Sequence, residues 1–297
     1  MIKSAASERF HRRSFTARVR LLAIAITVVC ALFPALIAAS GDPLRYRGGL
    51  RNSPDKHKLD AKQLEAVLKS LCEKTGFLEM HFDGNGFLAL GDRTKFIGGS
   101  AIARALLIAA SNMPHAVDLE CHNRSALVAF ARLAMPVIYY SFSTGKRMDV
   151  YPLEIDFSDL AHLRGDREAI AAFDLGFVIL HELGHAALGL RDSPGGPASL
   201  GECEELINRI RRELNLPERQ TYIAQVYLFP ANGPARASIK QAELVFTRAT
   251  DKPGQSKPEK FNLRWEAPMV GPIVDIPAQS IARIRAAKSI TASALGQ

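Results

Sequence analysis

The chain has 297 residues, 47% of them hydrophobic and 23% charged, and a formal net charge of +8. Those proportions belong to a globular protein with a sizeable core and exclude a disordered or low-complexity chain. The positive balance is local: Lys3, Arg9, Arg12, Arg13, Arg18 and Arg20 against Glu8 put +5 in the first 40 residues, which leaves +3 for residues 41–297. No basic stripe remains to track phosphates, so nucleic acid is not an expected partner. Arg209, Arg211 and Arg212 form the densest later cluster and are read as a solvated helix face.

Residues 1–40 form the first element. The basic stretch precedes an uncharged run, Leu21 to Ala39, that ends in the small residues Ala38-Ala39-Ser40-Gly41. This is the pattern of a signal peptide or signal anchor. The run is long enough to span a bilayer, but Pro34 divides it and leaves an apolar core of h-region length, which favours cleavage. Either outcome places the rest outside the cytoplasm, in the periplasm, the cell envelope or the medium, with membrane contact only through an uncleaved N-terminus. Cys30 lies in the leader. An oxidising compartment would permit Cys72 to pair with Cys121, and Cys203 is read as a small buried residue.

Residues 41–58, rich in Gly, Pro and charge, suggest a linker. A domain over 59–222 begins with an amphipathic helix that carries Leu64, Val67, Leu68, Leu71 and Cys72 at helical spacing and closes at Gly76. FLEMHFDGNGFLALGD predicts a hairpin and SAIARALLIAASNM a second helix. Apolar segments on either side of His122-Asn123-Arg124-Ser125 predict another hairpin. VIYYSF and VYPLEIDF are strands, with Pro152 marking an edge or a bulge. A long apolar helix runs from after Asp166 to about Gly189, a turn-rich loop comes next, and a further helix spans Gly201 to Leu214. Residues 223–297 form a β-rich C-terminal extension.

The long helix contains His181-Glu182-Leu183-Gly184-His185, the HExxH pattern. Two histidines four apart on one helix face can reach one tetrahedral metal, and the intervening carboxylate stands beside it. Glu182 is thereby placed as a general base. Zn2+ would lower the pKa of a bound water to about 7 and polarise a scissile carbonyl. Phe173, Phe177, Val178 and Leu180 make the helix largely buried, so these polar groups need partners that a metal would supply.

A catalytic zinc needs a third protein ligand. The string HELGHAALGLRDS is similar to the matrixin continuation HELGHALGLxHS but has one residue more, puts Arg191 at the place of the third histidine, and is followed by no histidine at all. Asp192 is one alternative, although an added helical residue turns the downstream chain by about 100°. The next helix, GECEELINRIRREL, offers Glu202, Glu204, Glu205 and Glu213. Its apolar stripe is Cys203, Leu206, Ile207, Ile210 and Leu214; Glu205 falls opposite the stripe, and Glu202 and Glu204 flank it. Glu202, 17 residues beyond His185 and in the first helical turn, ranks first, ahead of Glu204 and Asp192. Tyr222 and Arg211 are candidate oxyanion donors, and Asn208 a candidate to orient a ligand.

From Phe173 to Tyr222 the chain resembles a group of bacterial HExxH metallopeptidase-like domains, some of them carried in secreted or toxin proteins. The resemblance implies an α+β, zincin-like fold: a mixed sheet, an active-site HExxH helix and a following ligand helix. It implies a gluzincin-like arrangement with His181, His185 and a glutamate of the second helix on zinc, Glu182 as base, and a protein or peptide as substrate. The alternative is a metal-stabilised binding module of the cell envelope without turnover, against which an intact Glu182 argues.

Overall fold

The computed structural model describes residues 47–140, 145–193, 200–230, 238–250 and 257–270. The leader, residues 41–46 of the expected linker and residues 271–297 lie outside them, so no expectation placed there is addressed. The described residues form an α+β fold with two five-stranded sheets, a small hairpin and six helices. Among them no helix is long and apolar enough to cross a membrane.

The first sheet has β1 (Gly49–Asn52), β4 (Ala116–Cys121) and β7 (Arg147–Ile155) in parallel. Two antiparallel segments, β5 (Ala131–Leu133) and β6 (Val137–Tyr140), line the outer side of β7. Four helices share one core with this sheet: α1 (Ala61–Thr75), α2 (Ala101–Ser111), α5 (Leu175–Leu188) and α6 (Gly201–Glu213). Leu71, Leu107, Leu119, Leu153, Ile179 and Ile207 meet there with almost no exposure. The caps are those that the sequence dictates. Asp60 and Gln63 form a capping box on α1, the Ser100 hydroxyl accepts from Ala103 N on α2, and Asp174 accepts from Phe177 N on α5. The expected hairpin at Asp83–Gly86 joins β2 (His81–Phe82) to β3 (Leu88–Ala89).

Four expectations are corrected. The linker over 41–58 contains β1, whose Leu50 is buried and whose Arg51 pairs with Asp118 inside the fold, so the domain begins ahead of residue 59. Four residues amid Gly, Arg and Pro carry too little periodicity to read as a strand. The segments around His122 do not pair with each other, because β7 lies between β4 and β5. Pro152 sits in the middle of β7 rather than on an edge strand. Its carbonyl accepts from Ala134 N at 2.8 Å, so its donor-less nitrogen faces the same side, at the gap between β5 and β6. The long apolar helix is two: α4 (Arg167–Ala171) ends, and α5 restarts at its own cap, Asp174, whose carboxylate receives Lys74 at 2.5 Å.

The second sheet runs β10 (Gln225–Pro230), β11 (Ser238–Arg248), β12 (Glu259–Glu266) and β8 (Arg164–Gly165), with β9 (Glu218–Arg219) beside β11. Its β8 and β9 come from the stretch assigned to the first domain. Leu244, Phe246, Leu263 and Trp265 pack on Ala169, Phe173 and Val178 in one core. The boundary expected at 222/223 therefore does not separate two cores.

Helices α5 and α6 cross in close contact at Gly184. A Cβ there would meet Cys203 Sγ at 2.7 Å, so the glycine of HELGH is required by this crossing. On an open helix face Gly→Ala would be favourable by up to about 1 kcal/mol. Here we expect Gly184→Ala to destabilise by about 1–3 kcal/mol through overpacking, and Cys203→Ala in the same chain to recover most of the loss. Urea unfolding of the single and double variants checks this; simple addition of two losses would contradict it.

Candidate metal centre

His181 and His185 occupy consecutive turns of α5, with ring centroids 4.9 Å apart. Each ring is held from behind. His185 Nδ1 donates to the Leu190 carbonyl at 2.6 Å, which fixes the proton on that nitrogen, and His181 Nδ1 faces Glu204 Oε2 at 3.3 Å. Both Nε2 atoms then turn to one point. They lie 3.3 Å from each other, and Asp192 Oδ1 lies 3.0 Å from that of His181 and 3.3 Å from that of His185. A tetrahedral ion with bonds of 2.0–2.1 Å keeps its ligands about 3.3 Å apart, so the three atoms match one face of such a shell.

Asp192 reaches this place because the helix stops. Gly189 adopts the left-handed conformation (φ 65°) directly after α5 and turns the chain back toward the histidines. The return is pinned to the start of α6 by a bridge between Asp192 and Gly201, by Cys203 N on the Arg191 carbonyl (3.2 Å), and by Arg191 N on Glu202 Oε2 (3.1 Å). Gly201 has φ 78°, and a Cβ on it would lie 2.3 Å from Ser193 N, so only glycine fits beneath the loop. Tyr222 completes the setting: its hydroxyl donates to Asp192, and its ring stacks on His181 with centroids 6.1 Å apart.

The carboxylate brought to the two histidines is that of Asp192, not that of the first-ranked Glu202. Glu202 does not join the convergent atoms; at the α6 N-terminus its carboxylate receives a backbone amide and fastens the loop that carries Asp192. Glu204 is buried behind His181 and paired with Arg211 and, at 3.1 Å, with Arg219. Arg211 is no surface cation. It is fully buried and also binds the Asn208 side chain (2.7 Å) and the Ala172 carbonyl (2.8 Å). Asn208 acts through that arginine and through the backbone of Arg219, where it both donates and accepts at 2.8 Å. The pair Glu204–Arg211 lies within α6, two turns apart, and is buried by elements packed over the helix, with Arg219 of a later strand as the second partner of Glu204.

Cys203 Sγ also lies within 4.8 Å of ligand atoms of both histidines. Its thiol donates to the His181 carbonyl at 2.9 Å and is also within hydrogen-bond reach of both imidazoles, while Asp192 Oδ1 lies 3.0 and 3.3 Å from the two Nε2 atoms. Cys72 and Cys121 are free thiols.

The electrostatics agree with an anionic centre. Burial opposes a charge on His181, yet its bonds to Asp192, Cys203 and Glu204 outweigh it and hold the pKa well above the ordinary value. The bond to Asp192, with that to Cys203, pushes His185 up to about 10. Asp192 is partly desolvated, but the two imidazoles and Tyr222 keep its carboxyl far below the usual range. A field that retains protons on two imidazoles also favours a metal cation, and two imidazoles with a carboxylate suit zinc or a similar divalent ion.

Glu182 stands beside the three atoms. Burial pushes its pKa up, and Leu133 N on β5 donates to its Oε2 at 2.9 Å, which ties the outer strand to the helix. A cavity of about 420 Å³ opens next to His181 and Glu182 between α5, α6, β5 and the second sheet.

The Glu204 carboxylate is the sole anion paired with the buried Arg211 among the described ion pairs. Glu204→Gln should cost about 3–5 kcal/mol by leaving that guanidinium uncompensated, far more than Glu205→Gln on the exposed side. Thermal and denaturant unfolding of the two variants checks the difference. No protein-family model, no curated protein and no solved structure matches this chain.

Proposed function

We propose that the chain is an exported metallopeptidase of zincin-like architecture that hydrolyses peptide bonds, with His181, His185 and Asp192 as metal ligands and Glu182 as general base. The single observation that carries this reading is the triangle of His181 Nε2, His185 Nε2 and Asp192 Oδ1, with edges of 3.0–3.3 Å, beside the Glu182 carboxylate. The leader pattern supports export. Zinc, when bound, would supply a Lewis acid that polarises a carbonyl and acidifies water.

The chain's own residues do the rest. One oxygen of Glu182 is engaged by Leu133 N, which leaves the other free to take a proton from the attacking water. As the new C–O bond forms and the C–N bond breaks, the carboxylic acid passes that proton to the departing nitrogen, so the products are a carboxylic acid and an amine. Asp192, held by Tyr222 and by its bridge to Gly201, keeps its oxygen toward the histidines. Glu204, the Leu190 carbonyl and the Glu202 clamp on Arg191 are positioning groups. The outer strand β5 forms the sheet edge beside Glu182, and its Leu133 amide holds that carboxylate.

Metal content and peptide hydrolysis test this together. We expect one zinc per chain. Asp192→Ala should weaken zinc binding at least a hundredfold and Glu202→Ala by less than tenfold. Glu182→Gln should retain zinc and lose hydrolysis by a factor of about 10²–10⁴. Equal zinc affinity in wild type and Asp192→Ala would overturn the ligand set. Wild-type turnover in Glu182→Gln, or no turnover in the zinc-loaded wild type, would overturn the peptidase reading and, in the latter case, favour a silent binding module.

A further inference from the structure

We infer that Arg219 is a positioning residue for both kinds of metal ligand: it holds the His181 imidazole through Glu204 and the Asp192 carboxylate through Tyr222. The inference rests on the metal site of the proposed peptidase and goes beyond it, because it gives the second sheet a part in that site.

Arg219 lies on β9, opposite Phe246 of β11. Asn208 of α6 fastens its backbone as well: the Arg219 N–H donates to Asn208 Oδ1 and its carbonyl accepts from Asn208 Nδ2, both at 2.8 Å. The side chain is 11% exposed, with its guanidinium 5.6 Å from the ring centre of Phe173 and 5.2 Å from that of Tyr222. A guanidinium is a rigid planar fork of donors, and here each nitrogen has an acceptor. Nε donates to the Thr221 carbonyl at 2.9 Å, Nη1 to Glu204 Oε2 at 3.1 Å, and Nη2 to the Tyr222 carbonyl.

These bonds run in two directions. Glu204 Oε2 is the oxygen that faces His181 Nδ1 at 3.3 Å, so the arginine fixes the carboxylate that orients the imidazole. The Thr221 and Tyr222 carbonyls belong to the turn that follows Arg219, and binding both folds that turn onto the guanidinium. The Tyr222 ring is thereby set against His181 and its hydroxyl on Asp192. Charge alone does not account for the residue, because Arg211 already neutralises Glu204 through the other oxygen, Oε1. A lysine at this position would keep a positive charge beside Glu204 but would lose the fork that holds two carbonyls and a carboxylate in one plane.

Zinc affinity, measured by competition with a chelating indicator, tests this on Arg219→Lys, Tyr222→Phe and the double variant. Arg219→Lys should bind zinc about 10- to 100-fold more weakly, and Tyr222→Phe about tenfold more weakly, as is usual when a group behind a ligand is altered. The two act on Asp192 in series, so the double variant should fall within about threefold of Arg219→Lys rather than show the product of both losses. The visible spectrum of the cobalt-loaded protein should change in Arg219→Lys, because the ligands shift. Arg212→Lys, which alters only an exposed pair with Glu218, should stay within about twofold of wild type. Thermal melting shows that each variant is folded, and Arg219→Gln, which leaves Glu204 its pair with Arg211, replaces the lysine variant if that one unfolds. Wild-type zinc affinity and cobalt spectrum in the folded Arg219 variant would overturn the inference. The full product of losses in the double variant would overturn it too, by separating Arg219 from Tyr222. The peptidase reading fails separately: zinc-loaded wild type without hydrolysis would end that reading, while the affinity losses would still uphold the role of Arg219.

Discussion

Two imidazoles and a carboxylate that converge to edges of 3.0–3.3 Å share protons or a cation among them, and each has to be held in place from outside. Much of the surrounding structure serves that holding. α5 sets the histidines on one face, the Leu190 carbonyl and Glu204 fix the rings, and Tyr222 with the Asp192–Gly201 bridge fixes the carboxylate. Glu204 can stand buried behind His181 only because Arg211 and Arg219 neutralise it, and Arg211 tolerates complete burial only because Glu204, Asn208 and a backbone carbonyl satisfy it. The α6 helix thereby contributes to the site without contributing a converging atom.

The motif was legible because its chemistry is local: four residues of helix suffice to bring two imidazoles together. Helices α1 and α2, the β2–β3 turn and the C-terminal strands were legible for the same reason, through periodicity and caps. The third converging group was not. An added residue rotates Asp192 away only while the helix continues, and α5 ends at Leu188 with Gly189 in the left-handed region. Past that point the direction of the chain is set by tertiary pins, the Glu202 clamp and the narrow gap under the loop at Gly201. Glu202 ranked first because first-turn carboxylates face a helix dipole, and its actual partner is a backbone amide of the preceding loop. The burial of Arg211 was equally hidden, since Phe177, Phe246 and the Ala172 carbonyl, which cover it, lie on other elements.

The second sheet shows how non-local packing recasts a boundary drawn from sequence. The C-terminal strands carry the alternation of an independent β unit, yet they share Phe173, Val178 and Ala169 with the region of the HELGH helix, and their Leu244 and Trp265 face the cavity beside Glu182. On the opposite side, Pro152 faces the gap that divides the outer edge into β5 and β6, and Leu133 N, on the side of β5 turned away from β7, reaches Glu182. A proline that looked like a mark of an edge strand instead faces the break in its neighbour.

Zinc K-edge X-ray absorption of the loaded protein tests the central claim most directly, because Asp192 and Cys203 are the two groups near both histidines and differ in ligand atom. The expected result is a shell of nitrogen and oxygen alone at about 2.0–2.1 Å, including two imidazoles. A sulfur scatterer at about 2.3 Å would contradict it, placing Cys203 on the metal in place of Asp192.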